Sequence, residues 1–268
     1  MTKPKAEIGI FGGSGFYEFF KGGEEVGITT PYGKPSDKIV ISEIYGRQVA
    51  FLPRHGKKHQ YPPHMIPYRA NVYAMHKLGV KQIISPCAAG SLQFKVKPGD
   101  FVICDQFVDR TRGRKDTYYD GPESVHIQSV DTYCPQLRQL AVESCQKLKI
   151  SHHEIGTVVV IQGPRFSSRV ESRWFSSMGW EVVNMTQYPE NILAHELDMC
   201  YVNIALITDY DAGLEGSEDI KPVTHQEVIR VFNENNHKLK RLLLEMIKYW
   251  PKKRNCECEK ALEQAKAG

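Results

Sequence analysis

The chain has 268 residues, 41% of them apolar and 25% charged, with a net charge of +4. That is ordinary for a globular α/β protein and enough to bury a real core, so disordered and fibrous classes are excluded. There is no dense Lys/Arg block, no bilayer-length apolar run and no signal-peptide core, so a cytoplasmic protein without nucleic-acid or membrane partners is expected.

In chain order, "IGIFGGSG" reads as a buried strand, Ile8 to Phe11, entering a glycine-rich turn. "DKIVISEI" and "RQVAFLP" form a hairpin around Gly46. "HMIPYRANVYAMHKLG" has helical apolar spacing and ends at Gly79, a C-cap. "KQIISP" is a strand, "CAAGSL" a small-residue turn, and "DFVICDQFV" a further strand. "PQLRQLAVESCQKLKI" is an amphipathic helix with Pro135 at its start. "TVVVIQG" is a strand, "ESRWFSSMG" a helix, "WEVVNMT" a strand, "YPENILAHELDMC" a helix, and "YVNIALITD" the last strand. A long helix follows, opened by the Thr224/Glu227 capping pattern and stopped by Pro251. Its apolar face holds Val228, Val231, Phe232, Leu239, Leu242, Leu243, Met246, Ile247 and Trp250. The expected organisation is one domain over residues 1–251 and a polar tail over 252–268.

Alternating strands and helices imply an α/β class with a parallel or mixed sheet. Ligands in such sheets collect at the carboxyl ends of strands. "GGSG", "PRHG", "CAAGS", "QGPRF", "NMT" and "TDYDAG" all follow strands, so six segments can converge on one site.

Each segment has a chemical reading and a plainer one. Gly12, Gly13 and Gly15 let backbone N–H groups crowd an anion, with Ser14 adding a hydroxyl; the alternative is a tight turn. The segment is neither a Walker loop nor a dinucleotide fingerprint. Arg54 and His55 offer a fork and a further donor to a phosphate, or form a solvated basic turn. Thr186 ends a strand with a hydroxyl, and Phe166 can stack on a flat base or fill a core. Asp209 and Asp211 point to one face if the segment is still extended. Two carboxyls in a dry pocket push a pKa upward, so one donates and the other accepts, which suits the N7 and 6-amino edge of adenine. The alternative is a turn pair.

No metal set is read. His59 and His64 lack helical ligand spacing, and the seven scattered cysteines lack paired C-x-x-C spacing. Cys256 and Cys258 form a "CEC" that reads as two exposed thiols or a strained redox pair.

"TPYGKPSD", "PRHG", "DQFVDRT", "GPRFSSR", "NMT" and "TDYD" occur in this order, and together they resemble the 5′-methylthioadenosine phosphorylases, a branch of the trimeric purine nucleoside phosphorylase family. The similarity runs from about Ile8 to Trp250. It implies a nucleoside phosphorylase fold, with a mixed central sheet partly closed as a barrel and flanked by helices. It also implies homotrimers, sometimes stacked as hexamers, and reversible phosphorolysis of a nucleoside with inorganic phosphate as co-substrate and no cofactor.

By matching position, the resemblance implies a phosphate site of Ser14, Arg54, His55, Ala88 and Thr186. Cys87 stands where the family has a hydroxyl. Ala88 and Gly90 line ribose and base, Phe166 covers the purine, and Met185 packs under the ribose. Asp209 faces N7 and acts as the catalytic acid, while Asp211 faces the 6-amino group. His126 reaches the 5′ end from a neighbouring subunit, beside His225 and Val228. Relatives acting on 6-oxopurines carry asparagine at the first aspartate and glutamate where Ser167 stands, so this chain resembles the adenine type in purine and methionine salvage. His225 departs from the methylthio-specific pattern and extends the expected range to adenosine, or to a broader purine nucleoside phosphorylase acting on adenosine or inosine. Cys134 and Cys200 occupy positions that are bridged in some heat-stable relatives.

Overall fold

The computed structural model describes residues 6–13, 20, 22–212, 214, 220, 223–263 and 265. The first half holds β1 (Ile8–Gly12), β2 (Glu24–Val26), β3 (Ile39–Ile44), β4 (Arg47–Pro53), α1 (Tyr68–Lys77), β5 (Gln82–Ser91), β6 (Phe101–Ile103) and β7 (Gln106–Arg110). The second holds α2 (Pro135–Leu148), β8 (His152–His153), β9 (Thr157–Ile161), α3 (Arg169–Ser177), β10 (Val182–Asn184), α4 (Gln187–His195), β11 (Cys200–Asp209) and α5 (His225–Lys248).

One mixed sheet runs β2-β3-β4-β1-β5-β10-β9-β7, and β11 pairs with both β5 and β6. The sheet branches at β5. Its first residues pair in parallel with β1, Gly90 and Ser91 pair antiparallel with β10, and nearly its whole length pairs in parallel with β11. Among the described residues the pairings branch, and the barrel closure that the resemblance implies is not among them.

The central strands are apolar at successive positions because both faces are covered. Along β11, Tyr201, Ala205 and Ile207 enter a core with Val72 and Met75 of α1 and Leu193 of α4. The alternate residues Val202, Ile204 and Leu206 enter a second core with Leu137 of α2 and Leu239, Leu242 and Met246 of α5. The two-residue period of a strand thus divides one segment between two cores.

Four readings are corrected. The "CAAGSL" turn is the second half of β5: Ala88, Ala89 and Gly90 are poor strand formers, but small side chains let β10 and β11 pack closely on either side. "DFVICDQFV" is two strands, because β6 pairs with β11 and β8 whereas β7 pairs with β9. The helix expected from His64 begins at Tyr68, after a short 3-10 turn at Pro63–Met65 and Pro67. The Thr224 hydroxyl caps Glu227 N–H at 3.2 Å, but the Glu227 carboxylate turns to Arg230 at 2.9 Å, so only half of the capping box forms. A full box occurs instead at Ser168/Glu171, where α3 begins.

Candidate active site

A cavity of about 900 Å³ opens at the carboxyl ends of β1, β4, β10 and β11. Gly13, Arg54, His55, Cys87, Ala88, Gly90, Phe166, Met185, Thr186, Asp209, Asp211, His225 and Val228 all line it. Ser14 lies outside the described residues. His126 is not brought to this cavity; it is exposed on a loop, and its backbone N–H donates to Ala265 O at 3.1 Å.

β5 sets the length of the site. Arg54 Nη1 donates to Pro86 O at 3.3 Å, whereas an added Cβ at Gly90 would stand 2.9 Å from Asp209 Oδ1. Between Pro86 and Gly90 a strand advances by roughly 13 Å. A side chain at position 90 would displace the Asp209 carboxylate and crowd Val183 and the Asp211 backbone.

Arg54 is 3% exposed and grips Glu190, which is 0% exposed, through Nε at 2.7 Å and Nη2 at 3.0 Å. Tyr201 OH donates to the same carboxylate at 2.8 Å, and Ser85 bonds both partners. Burial alone would lower the Arg54 pKa, but the Glu190 charge more than offsets it and the net shift is upward. Glu190 holds Nε and Nη2, so the guanidinium turns Nη1 away from the pair.

Burial pushes the His55 imidazole down to about 4, helped by the Arg54 charge. The ring is therefore neutral at pH 7. Its Nδ1 lies 2.9 Å from Tyr61 O, a carbonyl that only accepts, so Nδ1 carries the proton and Nε2 is an acceptor. Thr186 is the N-cap residue of α4, yet its side chain does not cap the helix. Cys87 is buried, which raises its thiol pKa, and its sulfur receives Asn184 Nδ2 at 3.2 Å and Asn203 Nδ2 at 3.4 Å.

At the other end, burial pushes the Asp209 carboxyl up to about 7, against the lowering hydrogen bond from Thr208 Oγ1 at 2.6 Å. Burial also raises Asp211. Its Oδ2 is a buried acceptor with no hydrogen-bond partner. The hydroxyls of Ser172 and Ser167 lie near enough to offset part of the shift, but neither reaches Oδ2 in hydrogen-bond geometry. The two aspartates share the cavity for a reason other than strand alternation. The β11 register slips between Ile207 and Asp209, the strand ends at Asp209, and Asp211 sits in a turn with φ of 38°.

Glu190, Ser85 and Thr208 escape the sequence reading. Glu190 lies among apolar residues of α4, and a glutamate with no exposed helix face was the available signal. Asn184 is also at the cavity, with Oδ1 buried and without a partner.

A polar end with a buried cation, a dry end with two carboxyls and an apolar wall between them define a site for an amphiphilic small molecule carrying an anion and a hydrogen-bonding ring. Residues 7–248 match the phosphorylase superfamily, and the chain belongs to it. It is 51% identical over 263 residues to an S-methyl-5′-thioadenosine phosphorylase of Thermofilum pendens, covering 97% of this chain and 98% of the relative. It is 46% identical over 271 residues to a purine nucleoside phosphorylase of Streptomyces coelicolor, covering 97% and 96%. Among solved structures, methylthioadenosine phosphorylase from Schistosoma mansoni in complex with adenine superimposes with a TM-score of 0.89, at 33% identity and covering 97% of both chains.

Proposed function

We propose that the protein catalyses reversible phosphorolysis of 5′-methylthioadenosine to adenine and 5-methylthioribose 1-phosphate. The observation that carries this reading is the pair of buried carboxyls at the dry end of the cavity, one protonated to about pH 7 and one with an unpartnered oxygen. A 6-aminopurine supplies the matching edge: N7 accepts from Asp209, and the 6-amino group donates to Asp211. Phe166 covers the base, and Met185 packs under the ribose.

Phosphate binds at Arg54, His55, Ala88 and Thr186, with Ser14 contributing from the glycine turn and Cys87 in place of a hydroxyl. Neutral His55 offers Nε2 as an acceptor, so it receives a hydrogen bond from the P–OH of monohydrogen phosphate, which keeps its proton. A phosphate oxygen forms the bond to the anomeric carbon as the C–N9 bond breaks. The electron pair leaves on the purine, and the Asp209 proton passes toward N7. Such general-acid help is worth about 10²–10⁴-fold. Phosphate is a co-substrate, and the chemistry calls for no cofactor.

The 5′ group lies at the α5 end, beside His225 and Val228. His126 is exposed and outside its own cavity, which supports a homotrimer in which it reaches a neighbour's 5′ pocket, or a dimer of such trimers. Among the described residues no helix is long and apolar enough to cross a membrane, and we place the enzyme in the cytoplasm. His225 favours a second substrate: an imidazole at the cavity wall can hydrogen-bond the 5′-hydroxyl of adenosine. The test is adenine release from methylthioadenosine, adenosine and inosine, each with and without phosphate. Phosphate-dependent release from methylthioadenosine is expected; release without phosphate would make the enzyme a hydrolase.

A further inference from the structure

Four cysteines from three distant segments meet on the opposite side of the sheet's β11 from the α1/α4 core. Cys134 is the residue before α2, Cys200 is the first residue of β11, and Cys256 and Cys258 flank the start of a short 3-10 helix after α5. Their four sulfur atoms all lie within 4.8 Å of one another, and Cys200 and Cys256 are 3.4 Å apart. All four are free thiols in this structure, and Cys134 and Cys200, the pair that the resemblance raises as a bridge, belong to this four-sulfur cluster.

We propose that Cys134, Cys200, Cys256 and Cys258 bind one zinc ion as a tetrahedral tetrathiolate site that fastens the C-terminal tail to the core. A zinc–sulfur bond of about 2.3 Å gives a tetrahedron with sulfur–sulfur edges of about 3.8 Å. The observed sulfurs, with one pair at 3.4 Å and none farther apart than 4.8 Å, are close enough for such a tetrahedron. Four protein ligands leave no open coordination position, which is the mark of a structural rather than catalytic site. An all-sulfur donor set selects a soft or borderline ion over magnesium or calcium.

The surroundings suit a closed site. Cys134, Cys200 and Cys258 are buried, and Leu137, Val202 and Trp250 belong to the same apolar cluster. The ligands are held from outside. Cys134 N–H donates to Tyr201 O at 2.8 Å, and Cys200 N–H to Lys81 O at 2.9 Å. The tail is stitched beside them by Arg254 Nη1 on Asp198 O at 2.6 Å, Leu262 N–H on Asp198 Oδ1 at 2.8 Å and Asn255 N–H on Gln136 Oε1 at 3.0 Å. The tail around the two ligands is held by its own ion pairs, Arg254 Nη2 with Glu259 at 3.0 Å and Lys260 with Glu257 at 3.7 Å. Binding releases the thiol protons and converts four soft donors on separate segments into one crosslink, so metal affinity becomes folding stability of the tail.

The test uses the full untagged chain, purified without added metal and then given one equivalent of zinc. Elemental analysis is expected to find one zinc per chain, released to a chromogenic chelator when a mercurial titrates the thiols. Cobalt(II) in its place should give the intense sulfur-to-metal charge-transfer absorption of a tetrathiolate. Cys256→Ser/Cys258→Ser alters only the tail ligands; it should lose the metal and lower the Tm while keeping phosphorolysis at room temperature. Metal-free protein in which only Cys87, Cys104 and Cys145 react with a thiol reagent, the other four being disulfide-linked, would overturn the proposal. So would seven reactive thiols with no zinc taken up from the added equivalent.

Discussion

At one end of the cavity a buried carboxylate grips a guanidinium; at the other, two buried carboxyls face no cation among the described residues. Glu190 balances Arg54 before any substrate arrives. Burial favours the neutral form of both Asp209 and Asp211, with repulsion from Asp211 and Glu227 adding to it at Asp209 and repulsion from Glu171 at Asp211. The difference teaches what each end is for. A compensated ion is fixed in orientation and presents a permanent charge to an anion. An uncompensated carboxyl holds a proton it can give up once a better acceptor enters.

The largest expected effect comes from removing the carboxyl proposed as proton donor. Asp209→Asn should lower kcat/KM on methylthioadenosine by about 10²–10⁴-fold. It should also change the pH dependence of stability. An unfolded aspartate ionises near 3.8, whereas folded Asp209 stays protonated to about 7. Between those values the native state holds more protons than the unfolded state, so stability falls as pH rises through the window. Asparagine removes the Asp209 share of that slope and leaves the share of Asp211, whose carboxyl is raised as well, and wild-type activity should decline above pH 7 as the proton is lost. Urea titrations and rate profiles between pH 4 and 9 check both; a wild-type slope retained undiminished in the variant would place the shifted group elsewhere.

At the compensated end the same logic gives a stability effect. Glu190→Ala leaves Arg54 buried and unpaired, which costs about 3–5 kcal/mol. Added phosphate should restore more stability to this variant than to wild type, because the anion replaces the missing charge. Equal phosphate stabilisation in both proteins would break the assignment of Arg54 to the phosphate end.

Gly90→Ala strains the uncompensated end alone. The new Cβ would approach Asp209 Oδ1 to 2.9 Å and Val183 Cγ1 to 3.2 Å. Overpacking of this kind costs about 1–3 kcal/mol. The carboxylate should be displaced, so kcat falls while phosphate protection against unfolding is retained. Loss of both would mean that the two ends are not separable.

These contrasts were unevenly legible in the sequence. Asp209, Asp211, Arg54 and His55 stand at strand ends, where α/β sheets place ligands, and residue type alone indicated their chemistry. Glu190 did not announce itself, because its role depends on α4 packing against β11 so that it meets Arg54, and no local spacing encodes that. Ala88 and Gly90 read as a turn because intrinsic preference disfavours them in strands; the close approach of β10 and β11 overrides it. The D-x-D pattern led to the right face for the wrong reason, since a register slip and a positive φ bring the second carboxyl round. The cysteine cluster was invisible to spacing because its ligands lie on three segments that only the fold joins.

The smallest expected effect concerns the wall between the two ends. His225 and Val228 sit on the first turns of α5 and border the cavity, and His59 is near enough for the two imidazoles to repel when charged. Burial lowers the His59 pKa, and the His225 charge adds to the shift. His225→Val removes one hydrogen bond to a 5′-hydroxyl and adds apolar contact to a 5′-methylthio group. A neutral hydrogen bond contributes about 0.5–1.5 kcal/mol, so kcat/KM for adenosine should fall roughly 2- to 13-fold relative to methylthioadenosine. The loss should appear in KM more than in kcat, because this contact is the same in ground and transition states. An unchanged ratio would assign His225 to the helix terminus alone and leave discrimination at the 5′ group to Val228 and the neighbouring subunit.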